Sequence, residues 1–108
     1  MRFTDVKHLF DQIPGRFDGQ TAQGVKAVFQ FDITGPGGGN WCVTVQDSTC
    51  SISEGRHPDP TVTLSMSKET WLGIANKEIN PFEAFMSGAL RVSGDMLMAQ
   101  MVPELFKL

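Results

Sequence analysis

The 108-residue chain has only two cysteines and two histidines, and its nine basic residues are outnumbered by twelve acidic ones. Each scarcity closes a possibility. A net charge of −3 supplies no basic face for nucleic acid and no polybasic patch for an anionic membrane. No run approaches the ~18 apolar residues that a spanning helix needs, so stable membrane insertion is not expected. The opening stretch MRFTDVKHLFDQIPGRF mixes charges into its apolar positions and lacks the apolar centre of a signal peptide. The closing Phe106-Lys107-Leu108 only faintly matches a peroxisomal S-K-L tripeptide, because a bulky Phe stands first. A cytoplasmic protein is the expectation.

The cysteines do not form a disulfide on this reading. If 40–46 and 49–54 make a hairpin turning at Asp47-Ser48, Val45 faces Cys50 and Cys42 faces Ser53. The thiols then lie on opposite faces of the sheet and cannot bridge, which fits a reducing setting.

Catalytic patterns are equally scarce. The acidic residues are scattered, with no evident pair in apolar surroundings. No G-x-S-x-G elbow occurs. GPGGGN lacks the Lys-Ser/Thr of a phosphate loop and leads through Asn40-Trp41 into a strand. His57 and Asp59 are two donors without a third. The expectation is a non-enzyme with no metal and no cofactor.

What the chain has is apolar periodicity. Phe3, Val6, Leu9, Phe10 and Ile13 recur at helical spacing behind Thr4 or Asp5 as cap, and Pro14-Gly15 is expected to end that helix. Val25, Ala27, Phe29, Phe31 and Ile33 then alternate with more polar residues. So do Trp41, Val43 and Val45, then Cys50 and Ile52, then Val62, Leu64 and Met66. Each pattern is a strand with one apolar face, and together they predict a single, mostly antiparallel sheet, wet on one side and covered on the other.

The cover must be helical. Ser67 can cap a helix carrying Trp71, Leu72, Ile74 and Ala75. Asn80-Pro81 with Glu83 is a well-formed helix start. Leu90 and Val92 supply a fifth strand. Asp95 can cap a Met-rich helix that Pro103 ends or kinks. The order αββββααβα predicts one α+β domain over 1–108.

The last helix poses a question of burial. From Met96 to Pro103 only Gln100 is polar. Met98, Met101, Val102 and Leu105 make one stripe that can pack on the sheet, while Met96, Leu97 and Ala99 lie on other sides. A helix apolar nearly all round is buried nearly all round. Another helix, a partner subunit or an apolar ligand could cover its second side. Methionine suits an adaptable apolar site.

The segment Leu72–Val102, LGIANKEINPFEAFMSGALRVSGDMLMAQMV, resembles the sterol carrier protein 2 (SCP-2) domain, or nonspecific lipid-transfer protein. Pro81, Ala84, Phe85, Gly88, Leu90, Val92, Gly94, Asp95 and Met96 match that family's pattern in order and spacing. FQFDITGPGGGNWCVTV looks like the family's strand, Gly-rich loop and Trp-led strand. Where many members carry lysines after the glycine, this chain has Ala89 and Arg91.

The resemblance implies a five-stranded sheet with helices on one face and an apolar tunnel between them. It implies non-catalytic binding and carriage of fatty acid, fatty acyl-CoA, sterol-like lipid or phospholipid. Candidate lining residues from the sheet are Phe29, Phe31, Trp41, Val43, Ile52, Leu64 and Met66. From the helices they are Trp71, Ile74, Phe82, Phe85, Met86, Met98, Met101 and Val102. Gly94 and Pro103 flank the last helix as hinges for admitting a ligand. A monomer or weak homodimer is expected. The alternative is an accessory or dimerisation module working with a partner enzyme, its apolar helix buried against protein.

Overall fold

The structure, a computed structural model, describes residues 3–107. Leu108, and with it the end of the C-terminal tripeptide, lies outside the described residues.

Helix α1 (Val6–Arg16) begins where the Asp5 side chain accepts from the Lys7 amide at 3.2 Å, and it buries Val6, Leu9, Phe10 and Ile13. It does not end at Pro14-Gly15. A proline in the last turn removes one N–H from the ladder. The turn is held from outside, because Arg16 donates to the carbonyls of Phe106 and Lys107 at 3.4 and 2.6 Å.

Five strands follow the expected periods: β1 (Ala27–Thr34), β2 (Gly39–Gln46), β3 (Thr49–Glu54), β4 (Val62–Ser67) and β5 (Leu90–Gly94). They form one mixed sheet in the order β3-β2-β1-β4-β5. The hairpin register pairs Cys42 with Ser53 and Val45 with Cys50, as the turn at Asp47-Ser48 required, and both thiols are free. After β3 the chain crosses to the other edge of β1, so β4 runs parallel to β1, with Phe31 beside Leu64. Thr61 begins that edge: its amide donates to the Val28 carbonyl, and its hydroxyl accepts from the Val28 amide, both at 2.9 Å. The loop between β1 and β2 needs its glycines, since a Cβ at Gly38 would run into the Ile33 carbonyl.

Three further helices pack on one face. α2 (Lys68–Ala75) is capped by Ser67, α3 (Pro81–Ser87) by Asn80 and α4 (Met96–Phe106) by Asp95. α4 continues past Pro103 because the residues beyond it are the buried ones. Leu105 and Phe106 are fully enclosed, Phe106 sets its ring edge-on to Phe29 at 5.8 Å, and the Leu105 carbonyl accepts from the Asp18 amide at 2.8 Å. Burying two large side chains outweighs one lost backbone bond.

The aromatic core sits under α1. Phe10 stacks on Trp41 at 4.4 Å and on Trp71 at 5.4 Å, and meets Phe31 edge-on at 5.5 Å. The opposite face of the sheet is not uniformly wet. Gln30 and Cys42 are buried there beneath the loop that follows β3. Gln30 accepts from the His57 amide at 2.8 Å and donates to the Gly55 carbonyl at 3.2 Å. One polar side chain thereby holds the loop down, since a buried amide group must be satisfied.

Candidate functional site

The outer half of the sheet is built differently from the centre. Leu64 pairs with Val92, and Met66 with Leu90, across β4 and β5. These two pairs make an apolar floor. Trp71 and Ile74 of α2 close one side. Pro81, Phe82 and Phe85 of α3 form the next, and Met96, Ala99, Val102 and Pro103 of α4 complete the wall. The space between them is about 320 Å³ and is partly open to solvent. Asn80 and Gln100 are the polar residues on this lining. Asn80 Oδ1 is engaged in capping α3. Among the described residues, no titratable side chain lines the space.

Local rules explain why the walls stand where they do. Gly88, at φ 86°, ends α3 in the left-handed conformation and turns the chain into β5. Gly94, at φ 104°, lies so close to β4 that a Cβ would sit 2.6 Å from the Thr61 carbonyl. The amide of Asp95 then donates to that same carbonyl at 3.1 Å. α4 therefore leaves the sheet edge at a set point and runs back over the floor.

The second side of α4 thus faces a cavity. Its first side packs on the core through Val102, Leu105 and Phe106, and Met98 and Met101 are partly buried against that core. Its cavity side is Met96, Ala99, Gln100 and Pro103. Leu97 faces outward and is 71% exposed.

Of the candidate residues from the sequence, Leu64, Met66, Trp71, Ile74, Phe82, Phe85 and Val102 come together on the lining. Phe29, Phe31, Trp41 and Val43 are buried in the core, where Phe10 of α1 meets Phe31 and Trp41 and Phe106 of α4 meets Phe29. Ile52 is half-buried on the edge strand β3. Met86 is 69% exposed on the outer side of α3. The lining also includes Pro81, Leu90, Val92, Met96, Ala99, Gln100 and Pro103, which were not among the candidates. Leu90 and Val92 carried a signal: they are the inward residues of the strand next to Leu64 and Met66. Ala99 and Pro103 carried none, because small residues at a wall look like ordinary packing.

The thiols are not reactive elements of this site. Burial raises the pKa of both Cys42 and Cys50. His57 Nδ1 accepts from the Asp59 amide at 2.9 Å, so the two expected donors form a local turn. Among the described residues, no group of three or more His, Cys, Asp or Glu side chains is placed to hold a metal, and no helix is long and apolar enough to cross a membrane.

Known proteins share this fold. The solution structure of palmitated SCP2L2 from Aedes aegypti superposes with a TM-score of 0.79 at 26% identity, covering 97% of this chain and 96% of that one. A double mutant of the sec-alkyl sulfatase PisA1 contains the same fold, with a TM-score of 0.86 at 19% identity over 95% of this chain and 16% of that one. In sequence, the chain is 28% identical over 95 residues to hydroxysteroid dehydrogenase-like protein 2 of Bos taurus. That match covers 87% of this chain but 23% of the relative, so the chain spans about a quarter of the length of the curated relative. The profile of the SCP-2 sterol transfer family matches residues 6–107, nearly the whole chain. An apolar cavity between sheet edge and helices, on a five-stranded sheet of this topology and with this match, places the chain in the SCP-2 sterol transfer family.

Proposed function

We propose that the chain is one non-catalytic carrier unit that holds a single apolar lipid chain in the cavity between β4, β5 and the helices α2, α3 and α4. The observation that carries this reading is the second side of α4. Apart from Gln100 it is apolar, and it looks onto a partly open apolar space rather than being wholly covered by the core.

Volume narrows the ligand class. About 320 Å³ is near the lower end of the roughly 300–1,000 Å³ typical of ligand pockets. It suits one acyl chain of a fatty acid or fatty acyl-CoA better than both tails of a phospholipid or a rigid sterol. An acyl chain burying about ten methylenes would gain roughly 8 kcal/mol gross, before the costs of association. No precise polar anchor is then required. Gln100, at the wall, is the polar group positioned to meet a carboxyl or ester oxygen. A lining with no titratable side chain among the described residues supports carriage rather than catalysis. Two thiols on opposite faces of one sheet support a reducing, cytoplasmic setting.

Native mass spectrometry of the purified protein, followed by organic extraction, tests the proposal. A monomer carrying an extra few hundred daltons, recovered as a single-chain lipid, is the expected result. An apo dimer that takes up no fluorescent fatty acid would reject it and give the second side of α4 to a protein partner, the accessory-module reading.

A further inference from the structure

One wall of the cavity carries a buried polar atom that the protein leaves without a partner. Trp71 is 1% exposed, and its indole Nε1 meets no acceptor among the described residues. A buried N–H left unpaired costs free energy, so such a group calls for an explanation. The aromatic rings packed on Trp71 are those of Phe10 and Phe31, which carry no oxygen or nitrogen. Trp71 is also part of the cavity lining, so the cavity is the space from which an acceptor can reach it. Of the two polar side chains on that lining, Asn80 Oδ1 already accepts from the amides of Phe82 and Glu83, and Gln100 lies exposed on α4. Phe82 and Met96, at 70% and 41% exposure, mark the open side, and the buried Trp71 stands at the closed one.

We infer that the ligand supplies this acceptor, and that the cavity selects a single-chain lipid with a neutral carbonyl oxygen, as in a ketone or ester, part-way along its chain. The inference rests on the carrier reading above and names the ligand class within it. The chemistry of the donor makes the selection. An indole N–H donates and does not accept. It matches a carbonyl oxygen, which accepts and does not donate. A hydroxyl would bring a proton that needs an acceptor of its own. The floor and the α2 wall offer Leu64, Met66 and Ile74, whose one acceptor is a weak thioether. An ionised carboxylate would give up its hydration for one donor and, among the described residues, no cation on the lining. The carboxylate of a fatty acid therefore stays at the open side, where Gln100 is exposed, and the carbonyl oxygen goes in with the chain.

The test uses oxo fatty acids of a single chain length, with the ketone moved stepwise along the chain, against the unsubstituted acid. Titration calorimetry measures their binding to the native chain and to Trp71→Phe, which keeps a ring against Phe10 and has no N–H. The expected result is that one ketone position binds about fivefold more tightly than the unsubstituted acid, the order for one net hydrogen bond. The hydroxy analogue of that isomer binds less tightly than the ketone. In Trp71→Phe the same ketone binds more weakly than the unsubstituted acid, because its oxygen is then buried unpaired. In the proton magnetic resonance spectrum of the native chain, the Trp71 indole proton moves downfield with that ketone and not with the unsubstituted acid. This last reading needs no substitution, so it decides the matter even if Trp71→Phe does not fold. The inference is overturned if every ketone isomer binds no more tightly than the unsubstituted acid, or if the hydroxy analogue binds as tightly as its ketone. It is also overturned if the preference survives in Trp71→Phe, or if the indole proton responds alike to both ligands. A native chain that binds none of these acids rejects the carrier reading itself.

Discussion

The guanidinium of Arg16 donates to the Lys107 carbonyl at 2.6 Å, across 91 positions of sequence. A second bond from Nε to Phe106 reaches 3.4 Å. These bonds, with the Asp18–Leu105 backbone bond, tie down the C-terminal end of α4. The other end begins at the Asp95 amide, bonded to the Thr61 carbonyl at 3.1 Å, and exposes Met96 and Leu97. The helix is thus buried and fastened at its C-terminal end and exposed over its first turn.

Removing the fastening is expected to cost stability. Arg16→Met takes away the bonds to the last carbonyls and keeps much of the aliphatic stem. A loss of about 1–2 kcal/mol is expected, discounted for the exposure of the Lys107 contact. Chemical unfolding measures it; a change below a few tenths of a kcal/mol would show that burial of Leu105 and Phe106 holds the end alone.

The exposed first half of the helix is expected to be the moving part. Hydrogen exchange should show amides of 96–102 less protected than those of β1 and β4, and slowed when a fatty acid is bound. Pro103 and Gly94 would then act as hinges, since each lies at a limit of that half of the helix. Equal and ligand-insensitive protection of 96–102 would sink this.

Filling the cavity should separate binding from folding. Ala99 lines the space and is only partly buried. Ala99→Phe is expected to cut fatty-acid uptake at least tenfold while leaving Tm unchanged or higher, because the added ring occupies an existing void. Uptake at the native level would place the ligand elsewhere.

Gln30 is expected to matter more than its position on the far face suggests. Gln30→Leu strands the His57 amide and exposes the loop to release, at about 1–3 kcal/mol. Cys42 Sγ, which lies 3.0 Å from Gln30 Oε1, should then react faster with a thiol reagent. A native labelling rate in this variant would show that the loop stays down without it.

Acid should loosen the segment behind α1. The carboxylate of Asp18 accepts from the Thr21 amide at 3.2 Å, the Thr21 hydroxyl at 3.0 Å and the Gln20 amide at 3.0 Å, and the Thr21 bonds hold its pKa below the ordinary value. A folded-state pKa below the unfolded one stabilises above the unfolded pKa and is lost as pH falls through the folded one. Asp18→Asn is therefore expected to flatten the stability profile only on its acid limb, below about pH 4. An identical acid limb in the variant would exclude Asp18 as a contributor.

The five strands, four helices and their caps were legible in the residues themselves. Alternation shows which strand face is apolar, and Ser67, Asn80 and Asp95 each satisfy orphan amides within three residues of their own position. Such features are local, so sequence alone decides them. The parallel pairing of β4 with β1 was not legible, since hydrophobic pattern sets a face and not a neighbour. Nor was the continuation of α1 past Pro14, and the sequence left open whether α4 ended or only kinked at Pro103. The residues that outweigh those prolines, Arg16 and the buried Leu105 and Phe106, meet partners from the far end of the chain.

The same limit governs the cavity. The sequence by itself determined that one helix carries more apolar surface than the sheet can cover. It could not distinguish Phe31 and Trp41 from Leu64 and Met66, which have the same period and the same inward face. Tertiary structure decided between them by placing Phe10 of α1 over the first pair and leaving the second on the lining of the cavity. Inwardness is a property of a residue and its strand. Whether the space it faces is filled depends on a helix arriving from elsewhere in the chain.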